Sequence, residues 1–540
     1  MKRTIRFYGI ISLVLIMASC AGSKKVSQAP SPSPVPSAPP EARPEKPVVP
    51  DERPKGASQP EVLPMFAAPE REMRGVWIAT VANIDWPSSG TDSFEQQQRD
   101  FIQILDFYKQ RNFNAVFVQV RAAGDAFYPS KLAPWSRYLT GKEGKAPATL
   151  MDPLKWMVQV AHERGMEFHA WLNPYRASFN LNVDELSPAH DYHRHPEWMV
   201  KYGTKLYYNP GLPAVREHLV KVVEEVTRHY DVDGIHFDDY FYPYKIKGVD
   251  FDDKAAYRQY GQNQSLADWR RANVDKLIQA VSKTIKAAKP WVQFGVSPFG
   301  VWRNASQDPR GSDTKAGHTN YDDLYADPLV WMKNGWVDYI APQIYWSMDF
   351  PAASYKTLIN WWSENAHGTK VYVGNASYKI RSDADESWNS SFEIPNQVAM
   401  GRNVPGIAGN VFFRAKSMMG NNRDVANLLL QNNYAAPVLT PALQVSSGVM
   451  QNLVPAVDST HLSDRGLQLK IANAYLSEAV VLFGFSPNGK WQLIESQRTS
   501  ASIDGETFVF DSFMIPNFQY LAVGFKGNYG ELSQMKIWKP

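Results

Sequence analysis

The sequence predicts a (β/α)8 barrel followed by an antiparallel β-sandwich. Three observations carry this. Between residues 70 and 435, eight apolar runs rich in β-branched and aromatic residues alternate with helical patterns. The runs are apolar on both faces, as strands of a helix-covered parallel sheet are. From about residue 436 the helical periodicity stops, and short alternating runs separated by turn signals take over.

Taken in order, the first strand is expected at 74–82, with an amphipathic helix at 93–111. The second strand, 115–121, precedes a helix at 152–164. The third, 167–173, is followed by a polar segment and a helix at 213–230. The fourth, 234–240, leads to a long helix at 265–289. The fifth, 292–297, precedes a helix near 321–334. The sixth, 339–346, precedes one near 353–366. The seventh, 371–376, precedes one near 394–402, and the eighth, 406–413, one near 421–431. Such a barrel keeps its chemistry at the C-terminal ends of its strands. Polar and aromatic clusters fall there, at 121–125, 173–176, 238–243, 297–300, 343–346 and 375–378. Beyond 436, alternating runs at 466–471, 479–485, 491–495, 507–510 and 520–525 suit a sandwich, either a sugar-binding module or a brace for the barrel.

The N-terminus reads as an address. Lys2, Arg3 and Arg6 precede an uncharged stretch from Phe7 to Ser23, too short to span a membrane and suited to a signal peptide. It contains Met17-Ala18-Ser19-Cys20, which resembles a bacterial lipobox and implies cleavage after residue 19 and lipidation of Cys20. Thirteen of the chain's 38 prolines lie between Pro30 and Pro69, so 20–69 is expected to be an extended tether. The expected location is the cell envelope, on a bacterial membrane and most simply the outer one.

Composition narrows the function. The chain has 57 basic and 54 acidic residues, a net charge of +3, which argues against a nucleic-acid binder working through a basic field. One cysteine excludes a disulfide framework and a cysteine zinc site. Aromatic residues reach 13%, and flat rings with polar tips suit sugar faces.

The fourth run is the sharpest feature. Side chains alternate along a strand, so His236, Asp238 and Tyr240 share one face. A carboxylate at a barrel mouth is costly to desolvate without a task, and glycosidases use such groups. Asp238 is the candidate nucleophile or electrostatic stabiliser. Asp239, Asp125 and Asp349 are candidate proton donors, because no Glu ends the fifth, sixth or seventh run. Candidate substrate contacts are the rings Trp77, Trp171, Tyr175, Tyr240, Tyr242, Trp302, Tyr345 and Trp346, the cations Arg74, Arg121, Arg176 and Arg303, and His169, His236, Gln119, Asn173, Gln343 and Asn375. No cofactor is expected. Two other readings stay open. One is a non-catalytic glycan-binding lipoprotein. The other is a metal-dependent deacetylase with His169, His236, Asp238 and Asp239 around a divalent ion.

Four motifs carry a resemblance: Glu72-Met-Arg-Gly-Val-Trp-Ile-Ala-Thr80, Asp233-Gly-Ile-His-Phe-Asp-Asp-Tyr240, Gly295-Val-Ser-Pro-Phe-Gly300 and Ala341-Pro-Gln-Ile-Tyr-Trp346. In this order they resemble the glycosyl-hydrolase-like family 10 domain, a barrel family of bacterial lipoproteins, over roughly residues 70 to 435. The resemblance implies an envelope-anchored glycoside hydrolase. It points to polysaccharide, including peptidoglycan glycan strands stripped of peptide, a substrate associated with one relative. The fourth-run motif is also similar to that of the α-amylase superfamily, which puts the nucleophile on Asp238. His236 stands where that superfamily has Arg, and Ser297 and Pro298 stand where it has its acid.

Overall fold

The computed structural model describes residues 63–444, 448–463, 466–500 and 502–540. The expected signal peptide, Cys20 and most of the tether lie outside the described residues. Eight strands close into a parallel barrel: β1 (Met73–Ile78), β2 (Ala115–Arg121), β3 (Glu167–Leu172), β4 (Gly234–Phe237), β5 (Gln293–Val296), β6 (Tyr339–Ile340), β7 (Lys370–Ala376) and β8 (Ile407–Phe413). β1 pairs with both β2 and β8, so no edge is left open.

Each strand stands where its apolar run predicts, but three stop early. β1 ends at Ile78, and residues 81–83 form a short 3-10 turn instead. β4 ends at Phe237, which frees Asp238, Asp239 and Tyr240 to turn into the mouth. β6 has two residues, because Pro342 has no N–H for a ladder. Gln343 beyond it still bridges Phe299 and Gly374.

The outer helices are α1 (Phe94–Lys109), α2 (Pro153–His162), α3 (Pro213–His229), α4 (Leu266–Ala288), α5 (Pro328–Lys333), α6 (Tyr355–Glu364), α7 (Glu393–Gly401) and α8 (Arg423–Leu428). Local chemistry sets their starts. Ser93, Asp152, Ser265 and Ser354 each accept backbone N–H groups as N-caps, and Pro153, Pro213 and Pro328 open helices where no N–H is needed. The polar segment after β3 contains a hairpin, Met199–Tyr202 with Lys205–Tyr208.

The barrel interior is packed. Trp77, Phe117, Trp171, Tyr339, Tyr372 and Val411 fill it in one cluster. Two glycines make room for rings. A Cβ on Gly234 would overlap the His169 imidazole, and one on Gly295 would overlap the Tyr339 ring. Gly234→Ala is therefore expected to destabilise by about 1–3 kcal/mol, since a closed barrel has little slack for overpacking. Urea unfolding of the variant measures this, and an unchanged midpoint would show that the imidazole yields freely.

The C-terminal region forms two antiparallel sheets. One is β9 (Val457–Ser463), β10 (Gly466–Ile471) and β13 (Glu506–Phe510). The other is β11 (Ala479–Phe485), β12 (Trp491–Arg498), β14 (Tyr520–Lys526) and β15 (Lys536–Trp538). Leu467, Leu469, Phe508 and Phe510 from the first sheet meet Val480, Leu482, Val523 and Phe525 from the second in one buried core. This is the expected sandwich. It meets the barrel at the N-terminal ends of the strands: Arg498 pairs with Asp233, and Lys526 lies 4.0 Å from Glu167, while Glu478 holds both cations from within the sandwich. Thr440 donates to Glu167 at the start of β3.

Candidate active site

β4 builds the site from the inside out. His236 points into the barrel, and two residues later Asp238 lies above it at the mouth. A polar chain runs beneath. Trp77 Nε1 donates to His236 Nε2 over 3.2 Å, and Ser297 Oγ lies 3.0 Å from the same nitrogen. His236 Nδ1 and His169 Nδ1 each sit 3.1 Å from the Tyr339 hydroxyl, and His169 Nε2 lies 3.1 Å from Glu167. Burial, with His169 adding to it, holds His236 well below the usual imidazole value, so it is neutral. With Nε2 accepting from Trp77, its proton belongs on Nδ1, toward Tyr339.

Asp238 is 3% exposed. Its Oδ2 accepts from Trp171 Nε1 at 3.1 Å and Asn173 Nδ2 at 3.0 Å. Its Oδ1 has one long contact, the Tyr240 N–H at 3.4 Å. Burial pushes this carboxyl up to about 7; Arg176 opposes the rise and the neighbouring Asp239 adds to it. Asp239 is also raised by burial, although Tyr244 and Gln343 hydrogen-bond to it and lower it. The two carboxyls are therefore a buried, interacting pair at the end of one strand.

Aromatic rings surround them. The Arg176 guanidinium lies 4.3 Å from the Tyr240 ring centroid. Tyr240 neighbours Tyr244, which meets Phe299, and Phe299 packs edge-on against Trp346 at 5.5 Å. Tyr345 stacks with Phe413, and Tyr378 touches both. Gln343 anchors this wall through its amide, which donates to Ser297 O at 2.8 Å.

The structure thus gathers Asp238, Asp239, Trp171, Asn173, Arg176, Tyr240, Gln343, Tyr345 and Trp346 at one mouth. Other expected residues have different work. Trp77, His169 and His236 are at most 2% exposed and form the floor beneath the mouth, tied to Tyr339. Asp125 caps its own loop, accepting from Ala122 and Ala123 N–H. Asp349 is an exposed loop residue paired with Lys356. Gln119 spends its amide oxygen on Thr80 and Val81 N–H. Arg121 is buried against Asp125 O and the Tyr208 ring. Tyr175 and Tyr242 belong to the core.

Trp302 is buried on Trp361 and donates to Asp327, and Arg303 is held by Asp322 and Asp308. Asn375 faces outward to Gln397 of α7. Arg74 is at the opposite end of the barrel, bonded to Glu72 and Ala436 O. His169 and His236 turn to Tyr339 while Asp238 and Asp239 turn elsewhere, so the four do not converge as metal ligands. Among the described residues no group of three or more His, Cys, Asp or Glu side chains is placed to hold a metal ion.

Tyr244, Phe299, Tyr378 and Phe413 join the site without having been expected there. The first three lie in or beside the aromatic loop clusters and Phe413 ends β8, but only packing decides which rings face the carboxyls.

The sequence model described as glycosyl hydrolase-like 10 matches residues 72–390. This chain belongs to that family. Two named relatives are similar over about 70% of its length. The glycosyl hydrolase YngK of Bacillus subtilis (strain 168) is 48% identical over 382 residues, 70% of this chain and 74% of that protein. The glycosyl hydrolase DigH of Escherichia coli (strain K12) is 40% identical over 407 residues, 71% of this chain and 91% of that one. Among solved structures, the PgaB (BpsB) glycoside hydrolase domain from Bordetella bronchiseptica is 12% identical with a TM-score of 0.42, covering 67% of this chain and 99% of that one. The glycosyl hydrolase-like 10 match spans both carboxyls, Tyr244 and Tyr378; Phe413 and the sandwich lie beyond it.

Proposed function

We propose that this protein is a glycoside hydrolase of the bacterial cell envelope, tethered through a lipidated Cys20, that cleaves polysaccharide, with peptide-free peptidoglycan strands the first candidate. The observation that carries the reading is Asp238, a carboxyl raised to about 7 in an aromatic-lined barrel mouth beside a second carboxyl. A group with that value is about half protonated at neutral pH and mostly protonated below it, which favours the proton-donor role for Asp238 over the nucleophile's. Oδ2 already receives two N–H donors, so the proton belongs on Oδ1. Activity is accordingly expected to hold below pH about 7 and to fall as pH rises through it, as Oδ1 loses the proton it must give.

The test incubates wild type and Asp238→Asn with peptide-free strands and a panel of polysaccharides and reads released sugars by mass spectrometry. Products from wild type alone support the reading. Equal products from both remove Asp238 from the chemistry, and glycan binding without products from either supports a binding protein. Tyr345→Ala is expected to raise KM about 3- to 10-fold with kcat little changed, as loss of one stacking ring costs about 0.5–1.5 kcal/mol. Initial-rate kinetics over a substrate series measures that, and an unaltered KM would take Tyr345 out of the sugar path.

A further inference from the structure

The glycosidase reading leaves a question of position. A carboxylate nucleophile must attack the anomeric carbon on the face opposite the leaving oxygen, and an inverting base must hold its water there too. Asp238 and Asp239 are consecutive residues leaving one strand end, so both stand on one wall of the mouth. The other walls supply rings, amides and Arg176. Among the described residues, other carboxylates on the mouth loops have protein partners: Glu143 accepts the Ser187 N–H, and Asp191 meets the Tyr208 hydroxyl and His218. Asp85 accepts Ala79 and Lys416 N–H, Asp125 closes its own turn, and Asp349 pairs with Lys356. Asp385 takes the Ser347 hydroxyl, and Glu393 the Met348 N–H and the Gln397 amide.

Resting on that reading, we propose that the nucleophile is the substrate's own 2-acetamido oxygen, so that the site is specific for glycans of 2-acetamido sugars cleaved beside such a residue. This oxygen is covalently held next to the anomeric carbon and needs no second face of protein carboxylates. It is neutral, which suits a mouth where burial raises both carboxyls and disfavours a free anionic nucleophile.

The steps balance. The amide oxygen bonds to C1, the bond from C1 to the glycosidic oxygen breaks, and Asp238 Oδ1 gives its proton to that oxygen. Asp239, fixed by Tyr244 and Gln343, accepts the amide N–H and turns the amide oxygen toward C1. A bicyclic oxazolinium ion results, its N–H still held by Asp239. Water then adds to C1 and returns a proton to Asp238, the bond from C1 to the amide oxygen breaks, and the acetamido group is restored. One water is consumed and the anomeric configuration is retained.

The test varies the substrate and leaves the protein unaltered. Oligosaccharides carrying N-acetyl, N-fluoroacetyl or N-trifluoroacetyl groups at the cleaved residue are compared with the wild-type chain. Fluorine weakens the amide oxygen as a nucleophile, so kcat is expected to fall by about tenfold or more across the series. The 1,2-fused thiazoline of the 2-acetamido sugar is expected to inhibit competitively, and NMR to show the retained anomer first. Equal rates across the series, cleavage beside 2-hydroxy sugars, or an inverted product would overturn this inference while leaving the glycosidase reading intact. No hydrolysis of any substrate would overturn that reading and the inference with it.

Discussion

Asp238→Asn is expected to lower kcat/KM by about 10²- to 10⁴-fold, the usual worth of a positioned proton donor, while making the folded protein more stable at alkaline pH. The sign follows from the shift. The Asp238 carboxyl moves from an ordinary 3.8 up to about 7 on folding. Its contribution to stability is complete below the unfolded value and is lost as pH rises through the folded one. At pH 8 the native state holds a buried carboxylate at a cost of up to about 4 kcal/mol, from 1.36 kcal/mol per pKa unit. Asn reproduces the protonated form. Its oxygen can accept from Trp171 and Asn173, and its amide takes the place of the Oδ1 hydroxyl. Urea unfolding at pH 5 and pH 8, with kinetics on the same samples, checks both halves. A variant that loses activity with no gain in relative stability at pH 8 would show that Asp238 is ionised without cost in the resting protein.

Asp233→Ala is expected to have the opposite profile, a loss of about 3 kcal/mol of stability with kcat of the folded fraction preserved. Asp233 begins the same motif but sits at the other end of β4. Its Oδ2 accepts the Phe168 N–H at 2.7 Å and lies 2.8 Å from His162 Nε2, and its Oδ1 meets Arg498 of the sandwich. Burial works against its charge, yet Arg498 and His162 hold its carboxyl far below the usual range. A depressed carboxyl contributes stability above its unfolded value and loses it as pH falls through the acid range. The gap between wild type and variant should therefore be full at pH 7 and shrink toward pH 3. Equal urea midpoints at pH 7 would mean that the base network holds nothing together. The pair of variants separates the two ends of one strand: the lower end secures β3, α2 and the sandwich, and the upper end holds the candidate carboxyls.

The candidate residues that stand outside the site do so for several local reasons. Arg74 and Asn375 have the right types near strand ends, but strand parity turns both away from the interior. Asp125 and Gln119 sit at the second strand's mouth end, where loop N–H groups captured them. Arg303 and Asp349 found oppositely charged neighbours on the outer loops. Trp302 found a core.

Barrel, sandwich and the Asp238–Asp239 pair were readable from residues alone, because strand period, helix period, caps and turn signals are local properties of a chain. The strand-end glycines and the early ends of β4 and β6 follow from the same kind of local chemistry once neighbours are known. Which hydroxyl grips Asp239, how both buried imidazoles meet in one floor, and how far burial raises each carboxyl were decided only in three dimensions. Those outcomes depend on desolvation and on partners 67 residues away, as Trp171 is from Asp238, and neither quantity is written in a local pattern.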